Sequence, residues 1–164
     1  MIIRRPTLLE LRMLRAIANY QFRTNIGNEL IPSDVYVKVS KSTGKIREVL
    51  TNNRGLLLVL RASDYMFNLT KLSAIRLHKL LKPPKNRVIV VNEVSEFIRE
   101  GRNVFARHVI AIDEDLRAND EVIVVNEDDE LLGYGRLKLS PLETMFFTRG
   151  LAVLVRGGVK NGNG

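Results

Sequence analysis

The sequence predicts an α+β chain of two parts, a small N-terminal α+β domain followed by a C-terminal mixed β-barrel. Three observations predict it. Leu81-Lys82-Pro83-Pro84-Lys85 breaks the chain near its middle, because the second of two prolines denies the first the α region and no helix continues through both. Before the break, segments of helical period enclose alternating strand-like segments. After it come several short strands at turn-punctuated spacing with one brief helix between the first and second, the pattern of a small barrel. The expected domains are residues 1–84 and 85–160, with 161–164 as a loose polar tail.

In the first part, Thr7 to about Arg23 reads as a helix, with Leu11, Leu14, Ile17 and Ala18 at helical spacing. Arg12, Arg15, Asn19 and Arg23 recur at steps of three and four and fall on another face. An arginine stripe of this kind is a candidate phosphate surface, although such stripes more commonly form the wet face opposite a core. Val35 to Val39 alternates, Ser42-Thr43-Gly44 turns, and Ile46 to Leu50 returns. Asn52-Asn53-Arg54-Gly55 turns again into the apolar run Leu56 to Leu60, which together make a small antiparallel meander. Asn68-Leu69-Thr70 offers a cap for a second helix, Lys71 to Lys82. There Leu72, Ile75 and Leu80 are expected inward, and Lys71, Arg76, Lys79 and Lys82 in water.

In the second part, Arg87 to Val91 is a β-branched run. Asn92 is placed to cap a helix over Glu93 to Glu100, with Val94, Phe97 and Ile98 inward and Gly101 as its stop. Strands are expected over Val109 to Ile112, Glu121 to Val125, Leu131 to Leu139 and Leu151 to Arg156. Gly133 and Gly135 flank Tyr134 inside a strand, which marks a sharp bend or a close backbone approach.

Charge is sorted along the chain. Residues 1–84 hold 15 Lys and Arg against 5 acids, a net of +10, and residues 85–164 hold 11 against 13, a net of −2. Asp113 to Glu130 carries nine acids and the single basic residue Arg117. Such sorting suits a polyanion such as nucleic acid. Proteins with solvated surplus Lys and Arg show the same excess, and charge alone leaves the two readings level.

Several classes are disfavoured. Zero cysteines removes disulfides, thiolate zinc sites and cysteine nucleophiles. No apolar run approaches the roughly 20 residues of a membrane span, and Met1 to Thr7 lacks the pattern of a signal peptide; the cytoplasm is the default compartment and no membrane partner is expected. His78 and His108 have no metal partner at His-x-x-x-His spacing. Asp113-Glu114-Asp115 and Glu127 to Glu130 read as solvated turns, since the second lacks the glycine and distal glutamate of a calcium loop. No phosphate-binding loop, dinucleotide fingerprint or nucleophile elbow is present. The expectation is a binding protein with no catalytic residue, no metal and no cofactor.

The run Phe97-Ile-Arg-Glu-Gly-Arg-Asn-Val-Phe-Ala-Arg-His-Val109 resembles the helix, glycine loop and second strand of a PUA domain. Asn119 to Asn126, Leu132-Gly-Tyr-Gly-Arg136 and Arg149-Gly-Leu-Ala-Val-Leu-Val155 follow in that family's order. Upstream, Leu14 to Phe22, Ser42-Thr-Gly-Lys-Ile-Arg47 and Asp64-Tyr-Met-Phe-Asn-Leu-Thr70 resemble the domain that precedes PUA in archaeosine tRNA-guanine transglycosylases, with Arg87 at the junction. The resemblance implies tRNA as ligand, gripped at the acceptor stem and 3′ end. In that family a separate barrel with carboxylates and a cysteine-rich zinc site exchanges a D-arm guanine for a deazaguanine. This chain is too short for such a barrel and has no cysteine, so the resemblance implies either a separately encoded catalytic transglycosylase subunit as partner or service to some other RNA-modifying machine. The sequence does not choose between them.

Carried across, the family's RNA face falls on Arg99, Gly101, Arg102, Asn103, Arg107, Arg149, Gly150 and Arg156, with Arg12, Arg15 and Arg23 as a secondary basic surface. The chemistry is apt: arginine forks meet phosphate oxygens, a glycine lets the ligand approach the main chain, and an asparagine reads a base edge or ribose hydroxyl. Gly101 is equally explained as a helix C-cap, and Glu96 and Glu100 repel phosphate unless turned away. Two other roles stay open, an rRNA-processing or ribosome-assembly factor and a mainly protein-docking subunit. Docking would use Met145, Phe146 and Phe147, although burial in the barrel is the expectation for those aromatics.

Overall fold

Thr7 opens the first helix because its hydroxyl accepts the Glu10 N–H while the Glu10 carboxylate accepts the Thr7 N–H, a reciprocal capping box. The computed structural model describes residues 1–160, and the expected tail at 161–164 lies outside the described residues. The chain divides into two compact units, Met1–Arg76 and Leu77–Gly164.

In the first unit, helix α1 (Leu8–Phe22) buries Leu11, Leu14, Ala18 and Phe22. Full burial of each large apolar side chain stabilises by about 1.5–3 kcal/mol. Arg4 reaches the Glu10 carboxylate at 2.7 and 2.9 Å, and this ion pair, with the capping N–H, lowers the Glu10 pKa to about 2. A short helix α2 (Gly27–Leu30) follows. Strands β1 (Ile2–Arg4), β2 (Tyr36–Val39), β3 (Ile46–Leu50), β4 (Leu56–Leu60) and β5 (Phe67–Leu69) form one antiparallel sheet in chain order. Gln21 of α1 clamps the β5 edge, donating to the Phe67 carbonyl at 2.8 Å and accepting its N–H at 2.6 Å.

Helix α3 (Lys71–Leu80) buries Ser73, Ala74 and Leu77, with Leu81 just beyond it. Leu72, Ile75 and Leu80, the expected inward positions, are only half-buried. The buried stripe is rotated because small Ser73 and Ala74 admit a closer approach than the larger residues beside them. Lys79 and Lys82 are exposed, whereas Arg76 is half-buried and donates to the Leu30 carbonyl at 3.0 Å.

The second unit is a six-stranded sheet of order β7-β11-β10-β9-β6-β8, built from β6 (Arg87–Val90), β7 (Val104–Phe105), β8 (Val109–Ile112), β9 (Glu121–Val125), β10 (Leu131–Leu137) and β11 (Leu151–Gly158). Pairing is antiparallel except β6 with β9. The sheet curls into a mixed barrel around Val88, Val90, Ile98, Val122, Val124 and Leu132. A bulge between Tyr134 and Gly135 tightens the curl, and a Cβ at Gly135 would collide with the Leu154 carbonyl oxygen. The glycines around Tyr134 therefore serve close approach, as expected.

Between β6 and β7 lie a 3₁₀ turn (Asn92–Val94) and helix α4 (Ser95–Arg99). Asn92 does not cap the helix: its side-chain oxygen accepts the Glu127 N–H at 2.9 Å, so it serves the β9–β10 turn instead. Helix α5 (Pro141–Phe146) is not among the expected elements, although its Ser140/Glu143 capping box and its proline in the first turn are plain in the sequence.

Arg87 is fully buried. Its Nε donates to Asp129 at 2.7 Å, Nη1 to the Lys85 carbonyl at 2.9 Å, and Nη2 to the His78 carbonyl at 3.0 Å and to Asp129 at 3.3 Å. The acidic turn is thus not merely solvated, since Asp129 serves as counter-ion to a buried guanidinium. Removing one partner of a buried pair costs about 3–5 kcal/mol, and the part-exposed carboxylate brings the expected loss for Asp129→Ala down to about 2 kcal/mol. Urea unfolding should show that loss, while the neighbouring Asp128→Ala stays within about 0.5 kcal/mol of wild type. Equal effects of the two substitutions would remove the role given to Asp129.

Candidate nucleic-acid interface

Helix α4 ends on Gly101 at φ +96°, a conformation that favours glycine. The Gly101 N–H donates to the Ile98 carbonyl at 2.9 Å and the Arg102 N–H to the Phe97 carbonyl at 3.0 Å, the paired bonds of a Schellman cap. Gly101 is thus the C-cap that the sequence allowed, and the cap directs the chain into the Arg102–Asn103 loop. Asn103 fixes that loop to β11, its side-chain oxygen accepting the Val155 N–H at 2.9 Å. The close approach of α4 to the sheet requires Gly158, where a Cβ would collide with the Arg99 carbonyl oxygen.

These elements enclose an open groove of about 450 Å³ whose lining includes Phe97, Gly101, Arg102, Asn103, Arg107 and His108. Phe97 is 52% exposed and Phe105, also on the lining, 37%. Phe97 therefore does not point into the core as expected; Ile98 takes the inward position. Each phenyl ring is covered by a guanidinium, Arg102 at 5.5 Å from the Phe97 centroid and Arg107 at 5.4 Å from the Phe105 centroid. Neither Arg102 nor Arg107 has a carboxylate partner among the described residues. His108 meets Phe105 edge-on, with centroids 6.5 Å apart, and its Nδ1 is buried with no hydrogen-bond partner among the described residues. Burial, and then the charge of Arg107, push the His108 pKa down from its usual value. The groove thus combines two aromatic faces, two guanidinium charges without a counter-ion among the described residues, and a neutral imidazole. Such a surface can stack unpaired bases and meet phosphate oxygens.

The other expected site residues lie outside this groove. Arg99 pairs with Glu96 at 3.1 Å and Glu130 at 3.5 Å. Arg156 makes a bidentate pair with the buried Glu121, one arm at 2.8 Å, and Arg136 approaches the same carboxylate at 3.6 Å. Arg156 lines a separate cleft of about 330 Å³ with Arg136 and Lys138. Arg149 is exposed, and the Gly150 carbonyl accepts the Ala106 N–H at 2.8 Å, joining this loop to the segment that carries Arg107. Glu96 is drawn to Lys160 and Arg99, Glu100 lies 3.9 Å from Lys160, and neither acid lines the groove. In the first unit the α1 stripe divides: Arg12 is exposed, Arg15 donates to the Ile31 carbonyl at 2.8 Å, Asn19 accepts the Gly27 N–H, and Arg23 closes the helix at φ +53°.

Phe105 and His108 are not among the expected site residues. Their signal is the interleaving of aromatic and basic residues over Phe97 to His108. Among the described residues no group of three or more His, Cys, Asp or Glu is placed to hold a metal, and no helix is long and apolar enough to cross a membrane.

Residues 12–84 match the patch-forming domain C2 of tRNA-guanine transglycosylase, and residues 86–159 match the PUA domain. The chain pairs a C2 domain with a PUA domain. It is 42% identical over 151 residues to a tRNA-guanine(15) transglycosylase of Methanobrevibacter smithii, covering 92% of this chain and 23% of that protein. To the enzyme of the same name from Methanocaldococcus jannaschii it is 45% identical over 147 residues, covering 90% of this chain and 22% of that one. The chain therefore spans less than a quarter of the length of these curated relatives. Among solved structures, a hypothetical protein from Pyrococcus horikoshii superposes with a TM-score of 0.74 at 21% identity, covering 98% of this chain and 96% of that one. A PUA domain protein from Aeropyrum pernix superposes at 0.68 with 13% identity, covering 98% and 88%, and both likenesses bear on the fold alone.

Within the PUA domain, His108 gives the groove a pH dependence of known sign. Its folded pKa lies below the ordinary 6.5, so the unfolded chain takes up the proton first. The stability this supplies is complete above pH 6.5 and is lost as pH falls through that value toward the folded pKa. Urea midpoints of wild type and His108→Gln, compared from pH 7.5 downward, should therefore shift in favour of the variant as acid is added. A constant difference across that range would remove the assigned cause.

Proposed function

We propose that this chain binds RNA through the PUA groove, with tRNA as the ligand, and serves as a non-catalytic module in the exchange of a tRNA guanine for a deazaguanine. The observation that carries the reading is the pair of guanidinium-covered phenyl rings, Arg102 on Phe97 and Arg107 on Phe105, on one open groove. Bases stack on exposed aromatic faces, and the arginine charges remain available to phosphates. The names of the curated relatives supply the tRNA and the reaction. In this reading the groove takes the unpaired 3′ end beside the acceptor stem, Arg149 adds a backbone contact while Arg156 stays on Glu121, and a catalytic transglycosylase unit performs the chemistry. Residues 1–84 and 85–160 act as its two working modules.

A protein-docking role beside RNA binding is favoured by α5 and the loop after it. Leu142, Met145, Phe146 and Phe147 are 69%, 67%, 75% and 49% exposed, and the two aromatics are thus not buried in the barrel as expected.

The test is tRNA binding across a salt series, with intact transcripts and transcripts lacking the 3′ terminal nucleotides. Trimming should weaken binding. Arg102→Ala with Arg107→Ala should lower the slope of log K against log salt by about 0.7 to 0.9 for each phosphate no longer neutralised. A folded double mutant with wild-type affinity and slope would sink the groove assignment.

A further inference from the structure

The first unit carries a second cluster of cations, which shares only Arg15 with the α1 stripe. Two guanidiniums cover one ring: the central carbon of Arg5 lies 3.9 Å, and that of Arg54 4.8 Å, from the Tyr36 centroid. Arg5 also donates to the Asp34 carbonyl, and through Nη2 to the side-chain oxygen of Asn52 at 3.2 Å. Arg15 donates to the Ser33 hydroxyl oxygen at 3.2 Å. Asn52 and Ser33 both line an open cleft of about 550 Å³, together with Asn53, Asp34 and Arg76.

Two features give this cleft its chemistry. First, Arg5, Arg15, Arg54 and Arg76 have no carboxylate partner among the described residues, and Asp34 is the one acid on the lining. Like charges gathered on one ring and one cleft repel each other unless an anion joins them. Second, arginines occupy the oxygens of Asn52 and Ser33 as acceptors. These contacts leave the amide N–H of Asn52 and the hydroxyl proton of Ser33 to be offered as donors. A cleft edged by cations and presenting donors suits phosphate oxygens. It is poorly suited to base stacking, because two guanidiniums lie over the Tyr36 ring, against one over each ring of the groove.

We propose that the Arg5–Tyr36–Arg54 stack and the adjoining Ser33–Asn52–Arg76 cleft form a second phosphate-binding site, which takes the sugar–phosphate backbone of the bound RNA. The site rests on the RNA reading above for the identity of its ligand, and it uses none of the groove residues. Arg15 belongs to it through Ser33, whereas Arg12 and Arg23 do not.

Inorganic tripolyphosphate, titrated into the labelled full chain, should move the Arg5 and Arg54 side-chain resonances saturably, and Arg54→Ala should abolish the response. With tRNA, Arg54→Ala should lower the salt slope by about 0.7 to 0.9, the share of one phosphate. Asp34→Asn removes the single opposing charge and should tighten tRNA binding about threefold at modest salt. The gain requires a stable fold, so it guards against mistaking a misfolded variant for one that only fails to bind. Absent tripolyphosphate shifts at Arg5 and Arg54 would overturn the site. Wild-type tRNA affinity and slope in both variants would overturn its role in holding the RNA backbone and leave a site for small anions only. Failure of the groove is read separately, from Arg102→Ala with Arg107→Ala, on which neither the Arg54 nor the Asp34 result depends.

Discussion

A guanidinium buried at zero exposure constrains everything around it. Arg87 can sit at the start of β6 only if acceptors surround it, and three come from different parts of the second unit: the end of α3, the Lys85 turn and the β9–β10 turn. Asp129 reaches it from a left-handed position, φ +57°, in a turn that other side chains hold in shape. Asn126 accepts the N–H groups of Asp128 and Glu130 and donates to Ser95 at the start of α4. Asn92 binds Glu127, and Glu130 approaches Arg99. The same acidic turn that neutralises Arg87 therefore fixes both ends of the segment from Asn92 to Arg99. That segment supplies one wall of the groove.

This arrangement explains how a unit with a net of −2 over residues 85–164 presents a positive face. Its acids are placed against specific partners: Asp129 on Arg87, Glu121 on Arg156 and Arg136, Glu96 on Arg99 and Lys160. Asp113 accepts the N–H groups of Asn86 and Asp115. Net charge counts all of these equally, whereas a ligand at the groove meets Arg102 and Arg107 first. Glu121, with no exposed side-chain surface, also shows why an arginine count overstates a binding face. Arg156 must neutralise that buried carboxylate before it can meet a phosphate.

Much of the fold was legible because period and caps are local. The apolar spacing of Leu11, Leu14 and Ala18 fixes the buried face of α1, and β3, β4, β8 and β9 fall where alternation and β-branching place them. Short elements escaped for the complementary reason. Strands β1, β5 and β7 run two or three residues, too few for a period, and exist through their partners. Phe97 sits one step from Ile98 on a helix of five residues, and hydrophobicity alone does not decide which of the two faces the core. The Schellman cap at Gly101 decides it, because it fixes where α4 ends and how its faces lie against β11. The arginines of the candidate site were visible as residues, but their partners were not. Arg102 and Arg99 look alike in a sequence and differ entirely in what neutralises them.

A recurring device separates available arginines from committed ones. Arg102, Arg107, Arg5 and Arg54 each lie over an aromatic ring, whereas Arg87, Arg99 and Arg156 lie against carboxylates. A carboxylate orders a guanidinium and cancels its charge in the same contact. An aromatic face orders it by stacking and cation–π attraction, contributing about 0.5–1 kcal/mol at exposed positions, and leaves the charge and the in-plane N–H donors outward. A side chain already held in place loses less entropy when a phosphate arrives. On this physical ground the two proposed sites include the aromatic partners Phe97, Phe105 and Tyr36, although they carry no charge. An arginine's partner, more than its position in a motif, then decides whether it can bind RNA.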